Sequence, residues 1–100
     1  MLDLDSLAEK RARSLNQKEE MWREAIWSSD FQKISASMSD GEVEALVSLC
    51  PSVGHLHSVV KYLDQQSQAQ GISPFALLTR EAEKNGLKPA EWIQSRVGSD

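Results

Sequence analysis

The stretch that decides the fold is Gly71-Ile72-Ser73-Pro74-Phe75-Ala76-Leu77-Leu78, which is echoed 15 residues later by Gly86-Leu87-Lys88-Pro89-Ala90-Glu91-Trp92-Ile93. In each copy, a glycine suited to a left-handed helix end precedes an apolar residue, a cap position, a proline suited to the first helical turn, and an apolar pair. The repeat therefore predicts two helix starts, with helices over residues 74–85 and 89–97.

Two further helices are predicted before this repeat. The sequence Ser39-Asp40-Gly41-Glu42 fits a capping box and predicts the start of the first, which Pro51 ends. Its apolar residues at helical spacing are Val43, Leu46, Val47 and Cys50. The next helix runs from about Ser52 to Gly71, and its inner apolar residues are Leu56, Val59, Val60 and Leu63.

The N-terminal part of the chain predicts one long helix over residues 3–28. It offers capping side chains such as Asp3 and Ser6, and no glycine or proline occurs before Gly41. Charged and polar side chains thin the apolar stripe in the middle of this helix, so we expect an arm that projects or pairs with a second chain. Residues 29–38 are rich in serine and are expected to form a linker.

These elements together predict an all-α fold of about five helices. One hundred residues suffice for one modest core and are too few for two, so a single domain over residues 1–100 is expected. Within it, the long helix and the linker lead into a compact helical bundle over residues 39–98. That bundle ends in a helix-turn-helix-like pair.

Composition and charge limit the classes of function. The chain is 40% hydrophobic and 26% charged, as globular proteins are, and it has no apolar run of the roughly 18 residues that span a membrane. Its N-terminal residues are too charged for a secretory signal, so a cytoplasmic protein without membrane contact is expected. The net charge of −4 gives no overall attraction to nucleic acid.

No motif in the sequence predicts catalysis or a metal site. Cys50, His55 and His57 are too few and too poorly spaced for zinc, because residues two apart on a helix point to different faces. The single cysteine, flanked by Leu49 and Pro51, suits a buried thiol better than a reactive one. We expect a non-enzymatic protein without cofactor, metal or small-molecule substrate.

An aromatic cluster near the end of the first predicted helix is a candidate surface for a protein partner. Trp22 and Trp27 lie about 140° apart around a helix, so both cannot face one narrow core seam. The candidate partner-binding residues are Trp22, Arg23, Glu24, Ile26, Trp27 and Phe31. Two interpretations stay open: the linker covers the second tryptophan, or the cluster anchors a partner, since tryptophan is enriched at interface hot spots.

The favoured hypothesis is a small regulator, adaptor or inhibitor that binds a protein partner or a second copy of itself through the first helix. The alternative is a helix-turn-helix DNA-binding regulator, with its turn at Gly86 or at Gly71. Its candidate nucleic-acid contacts are Arg80, Lys84, Lys88, Gln94 and Arg96. Bases and acids balance over residues 71–100, which weakens the expected attraction to phosphate.

Overall fold

Helices make up the regular structure of this protein. A computed structural model describes residues 3–97, and this part of the chain contains helices and turns without strands. Its seven helices are α1 (Leu4–Leu15), α2 (Glu19–Ile26), α3 (Ser29–Ser35), α4 (Asp40–Leu49), α5 (Val53–Gln70), α6 (Pro74–Lys84) and α7 (Pro89–Val97). The all-α prediction is confirmed, whereas five helices was too low a number. Residue 98, the predicted end of the bundle, lies outside the described residues.

The prediction of one helix over residues 3–28 is wrong, because the chain turns back at Asn16. This residue adopts a left-handed conformation with φ 54°. Its N–H donates to the carbonyl of Arg13 at 3.2 Å, and the N–H of Gln17 donates to that of Ala12 at 2.8 Å. This is the Schellman ending usually supplied by glycine, which asparagine also tolerates. The predicted arm is therefore a pair of shorter helices.

The thin apolar stripe of α1 is a packing surface rather than a free one. Ala8 and Ala12 are fully buried together with Leu7, and α1 packs against α2 and α4. Small side chains four residues apart on one face allow a neighbouring helix to approach closely. A narrow stripe is thus enough to hold α1 in the core.

The predicted linker over residues 29–38 is largely helical. Ser28 caps α3 by accepting a hydrogen bond from the N–H of Phe31 at 3.3 Å. Phe31 and Ile34, one turn apart, are buried, and α3 packs against α2 and α5. Two apolar anchors therefore hold a segment whose serine content suggested a connector.

The helix pair α4 and α5 follows the sequence prediction. The capping box at the start of α4 is present, with Ser39 and Glu42 each accepting a hydrogen bond from the other's backbone N–H. α5 is the central helix and packs against α2, α3, α6 and α7. Its predicted inner residues Leu56, Val59, Val60 and Leu63 are all buried. No helix within residues 3–97 is both long and apolar enough to cross a membrane.

The two repeated helix starts are confirmed. Gly71 and Gly86 each have φ 67°, a value that glycine adopts without steric cost. The N–H of Leu87 donates to the carbonyl of Ala82 at 2.9 Å, so the end of α6 is also a Schellman motif. Pro74 and Pro89 then occupy the first positions of α6 and α7. These turns bring α6 and α7 together beside α5.

Candidate partner-binding surface

The structure separates the two tryptophans of the aromatic cluster. Trp22 is fully buried, whereas Trp27 is 51% exposed. The predicted anchors Ile26 and Phe31 are also buried, at 0% and 1% exposure. In this fold Trp22, Ile26 and Phe31 therefore belong to the core and have no surface to offer a partner. The candidates that keep exposed surface are Arg23, Glu24 and Trp27.

Trp27 is held in place by a distant carboxylate. It follows the last residue of α2, and its indole Nε1–H donates a hydrogen bond to Oδ1 of Asp5 at 2.8 Å. The partner lies in the first turn of α1, 22 residues earlier in the chain. No sequence signal links the two residues, since only the turn at Asn16 brings them together. The result is an exposed aromatic ring whose N–H edge is hydrogen-bonded to α1.

Arg23 shares the same carboxylate. Its Nε lies 3.6 Å from Oδ1 of Asp5, and its Nη2 donates to Oε1 of Glu19 at 3.1 Å. All three side chains are about half exposed, so each pair contributes less than about 1 kcal/mol. The guanidinium is nevertheless oriented by two carboxylates of its own chain.

A shallow groove of about 310 Å³ runs beside Trp27 and is lined by Glu20, Arg23, Glu24 and Trp27. We call these four residues the Trp27 surface. Their spacing is that of one helix face, at positions i, i+3, i+4 and i+7. Within residues 3–97, the carboxylates of Glu20 and Glu24 take part in no ion pair or side-chain hydrogen bond. The surface therefore combines an ordered indole with two unpaired negative charges.

A second groove of about 370 Å³ was not anticipated from the sequence. It lies between the α1–α2 turn and the start of α5, and it is lined by Asn16, Gln17, Lys18, Met21, Ser52, Val53 and Gly54. Met21 is as exposed as Trp27. Gln17, one of these residues, joins the two turns by donating from Nε2 to the carbonyl of Pro51 at 3.1 Å. The sequence feature that could have indicated this groove is Asn16, a residue type able to end α1 and so to form the turn that lines the groove.

The residues of the DNA-binding alternative flank the turn at Gly86, with Arg80 and Lys84 on α6 before it and Lys88 and Gln94 after it. Arg80, Lys84, Lys88 and Gln94 are exposed, while the side chain of Arg96 lies outside what the structure describes. Glu91 and Gln94 are exposed on α7, which buries Trp92 and Ile93 against its neighbours. Lys84 lies 4.0 Å from the carboxylate of Glu81. This surface therefore mixes both signs of charge.

Cys50, Ser52 and His55 each make a side-chain hydrogen-bond contact within the fold. Cys50 is buried, its Sγ donates to the carbonyl of Leu46 at 3.3 Å, and burial raises its pKa to about 12. Ser52 Oγ and His55 Nδ1 lie 2.6 Å apart at the start of α5, where Ser52 also caps the helix. Within residues 3–97, no three His, Cys, Asp or Glu side chains are grouped so that they could hold a metal ion.

Comparisons with known proteins find no relative for this chain. No protein-family model matches it, and searches of curated proteins and solved structures give no match.

Proposed function

We propose that this protein is a non-enzymatic regulator, adaptor or inhibitor that acts by binding another protein through the Trp27 surface. The observation that carries the proposal is the half-exposed indole of Trp27, held by Asp5 at the edge of a groove. Burying the rest of this ring in an interface would remove a large apolar area from water. Such a role requires no chemistry of the chain's own.

The fixed ring supports this proposal beyond its exposure. A flexible surface side chain loses rotamer freedom when it docks, at a cost of about 0.5–1.5 kcal/mol. The hydrogen bond to Asp5 restrains Trp27 before any partner arrives. Tryptophan is among the residue types that contribute most of the binding free energy at protein–protein interfaces.

A different protein is a better occupant of this surface than a second copy of the chain. The idea of self-association through the first helix depended on a projecting arm, and α1 is instead packed against α2 and α4. A twofold dimer through the Trp27 surface would bring the same patch from both copies together. Each copy would then bring two carboxylates, Glu20 and Glu24, and one guanidinium, Arg23, to the interface, so like charges would outnumber opposite ones. We expect the isolated chain to be a monomer.

DNA binding by α6 and α7 remains the alternative proposal. The two helices are joined by the tight turn at Gly86, as a helix-turn-helix pair requires. The mixture of Lys84 and Lys88 with Glu81 and Glu91 argues against it, because phosphate contacts need clustered positive charge.

Affinity capture from a lysate of the source cells tests the favoured proposal. The baits are the unmodified chain, Trp27→Ala, and Met21→Ala, a control on α2 whose side chain is as exposed as that of Trp27. We expect protein partners that the unmodified chain and Met21→Ala both retain and that Trp27→Ala loses. Nuclease treatment should leave this recovery unchanged. Partners retained equally by all three baits would rule out the Trp27 surface.

A further inference from the structure

We infer that the Trp27 surface receives an arginine side chain from a basic segment of the partner protein. This inference rests on the proposed function and specifies the chemistry of its partner. It is drawn from the juxtaposition of one ordered indole with two carboxylates that the chain itself leaves unpaired.

The indole supplies the first contact. A guanidinium that stacks over an aromatic face is attracted by the negative electrostatic potential of the ring, and tryptophan is the strongest such partner. Because the indole N–H of Trp27 donates to the carboxylate of Asp5, that contact polarises the ring toward higher electron density. The same hydrogen bond keeps the ring in position beside the groove.

The two carboxylates supply the second contact. Glu20 and Glu24 lie one helical turn apart on the same face as Trp27 and line its groove. The planar guanidinium carries five N–H donors, so it can stack on a ring and donate to a carboxylate at the same time. A lysine ammonium is a compact point charge and meets these two demands less well.

Arg23 does not block this site with its own charge. Its guanidinium is directed toward Glu19 and Asp5. This region holds four carboxylates, those of Asp5, Glu19, Glu20 and Glu24, and two cations, Arg23 and Lys18, the latter lining a neighbouring groove with Glu19 and Glu20. The remaining negative charge attracts a cation and repels phosphate.

Other partner chemistries fit the surface less well. A purely apolar segment would desolvate Glu20 and Glu24 without giving them a partner, which is unfavourable. An acidic segment would add like charges to the same groove. A cationic segment gives Glu20 and Glu24 a partner of opposite charge, so it avoids both the desolvation cost and the repulsion.

A displayed library of random short peptides tests the inference without knowledge of the natural partner. The library is selected against the unmodified chain, Trp27→Ala and Met21→Ala. We expect arginine-containing peptides to be enriched on the unmodified chain and on Met21→Ala but not on Trp27→Ala. Trp27-dependent peptides without basic residues would overturn the inference and leave the proposed function standing. Absence of any Trp27-dependent enrichment would overturn the inference, while the lysate capture decides the proposed function separately.

Titration of the most enriched peptide measures the charge contribution directly. Replacing its arginine by citrulline, a neutral analogue of similar shape, should weaken binding about tenfold, as should Glu20→Gln combined with Glu24→Gln. Glu83→Gln on α6 is the matched control and should leave affinity unchanged. Binding should also weaken as salt is added, because exposed charges are screened. Equal affinity of the arginine and citrulline peptides would refute the inference.

Discussion

The indole nitrogen of Trp27 donates a hydrogen bond to Oδ1 of Asp5 across 2.8 Å, joining the end of α2 to the first turn of α1. Asp5 also lies 3.6 Å from Nε of Arg23, so one exposed carboxylate orients both the ring and the cation beside it. The relationship depends entirely on the turn at Asn16, which returns α2 alongside α1.

Asp5→Ala removes the acceptor for Trp27 and tests whether that contact orders the ring. We expect the indole proton of Trp27 to exchange faster with solvent and the stability to fall by less than about 1 kcal/mol, because the contact is exposed. Amide and indole hydrogen exchange followed by NMR measures both effects. Asp5→Asn keeps an acceptor oxygen and should behave like the unmodified chain. Unchanged exchange in Asp5→Ala would show that the ring is held by packing alone.

Asn16 is expected to respond to substitution as a left-handed residue. Asn16→Gly should leave stability unchanged or raise it, whereas Asn16→Ala should lower it by about 1 kcal/mol, because a side chain with an ordinary Cβ is strained at φ 54°. Denaturant unfolding midpoints measure the difference. If α1 and α2 formed one continuous helix, Asn16→Ala would be more stable than Asn16→Gly, because alanine has the higher helix propensity.

Gln17 is expected to contribute more to stability than an exposed glutamine. Its Oε1 accepts from Nε1 of the buried Trp22 at 2.9 Å, and its Nε2 donates to the carbonyl of Pro51. Gln17→Ala should lower stability by about 1–2 kcal/mol, because it leaves the indole N–H without this partner. Gln65→Ala, on the exposed face of α5, is the control and should change stability by less than about 0.5 kcal/mol. Equal effects of the two substitutions would contradict this role.

The buried thiol of Cys50 is expected to make the stability of the protein depend on pH in the alkaline range. Burial raises the pKa of its thiol from 9.0 to about 12, with the charge of Arg11 acting in the opposite direction. The stabilising contribution of the protonated Cys50 thiol to the free energy of unfolding is therefore fully present below pH 9.0. It is lost as the pH rises toward about 12, because the thiol ionises first in the unfolded state. Unfolding of Cys50→Ala should show a shallower loss of stability between these pH values than the unmodified chain. Identical slopes would place the thiol in contact with water.

The DNA-binding alternative makes a separate prediction. If it is wrong, the chain will not be retained on duplex DNA even at low salt, and Arg80→Glu combined with Lys84→Glu and Lys88→Glu will change nothing. Mobility-shift assays at two salt concentrations measure this. Retention of the unmodified chain that the triple variant loses would favour DNA binding, since such contacts depend on phosphate neutralisation.

The sequence was most informative where short-range stereochemistry decides the outcome. Ser39 with Glu42, and each glycine–proline start of the repeat, act within a single turn of chain, so their helices could be predicted from neighbouring residues alone. The inner faces of α4 and α5 followed in the same way, because apolar spacing is a local property. The sequence does not reveal the turn at Asn16, since asparagine is compatible with both a helix interior and a left-handed end.

By itself, then, the amino-acid sequence determined that the chain is helical and where most helices begin and end. Only the tertiary structure decided that Trp22 is buried while Trp27 is exposed, that α3 is ordered by Phe31, and that Asp5 meets Trp27. The physical reason is the separation along the chain over which each interaction acts. Capping and apolar periodicity involve residues a few positions apart. Burial and the Asp5–Trp27 contact depend on residues that are distant in the chain and meet only when the helices pack.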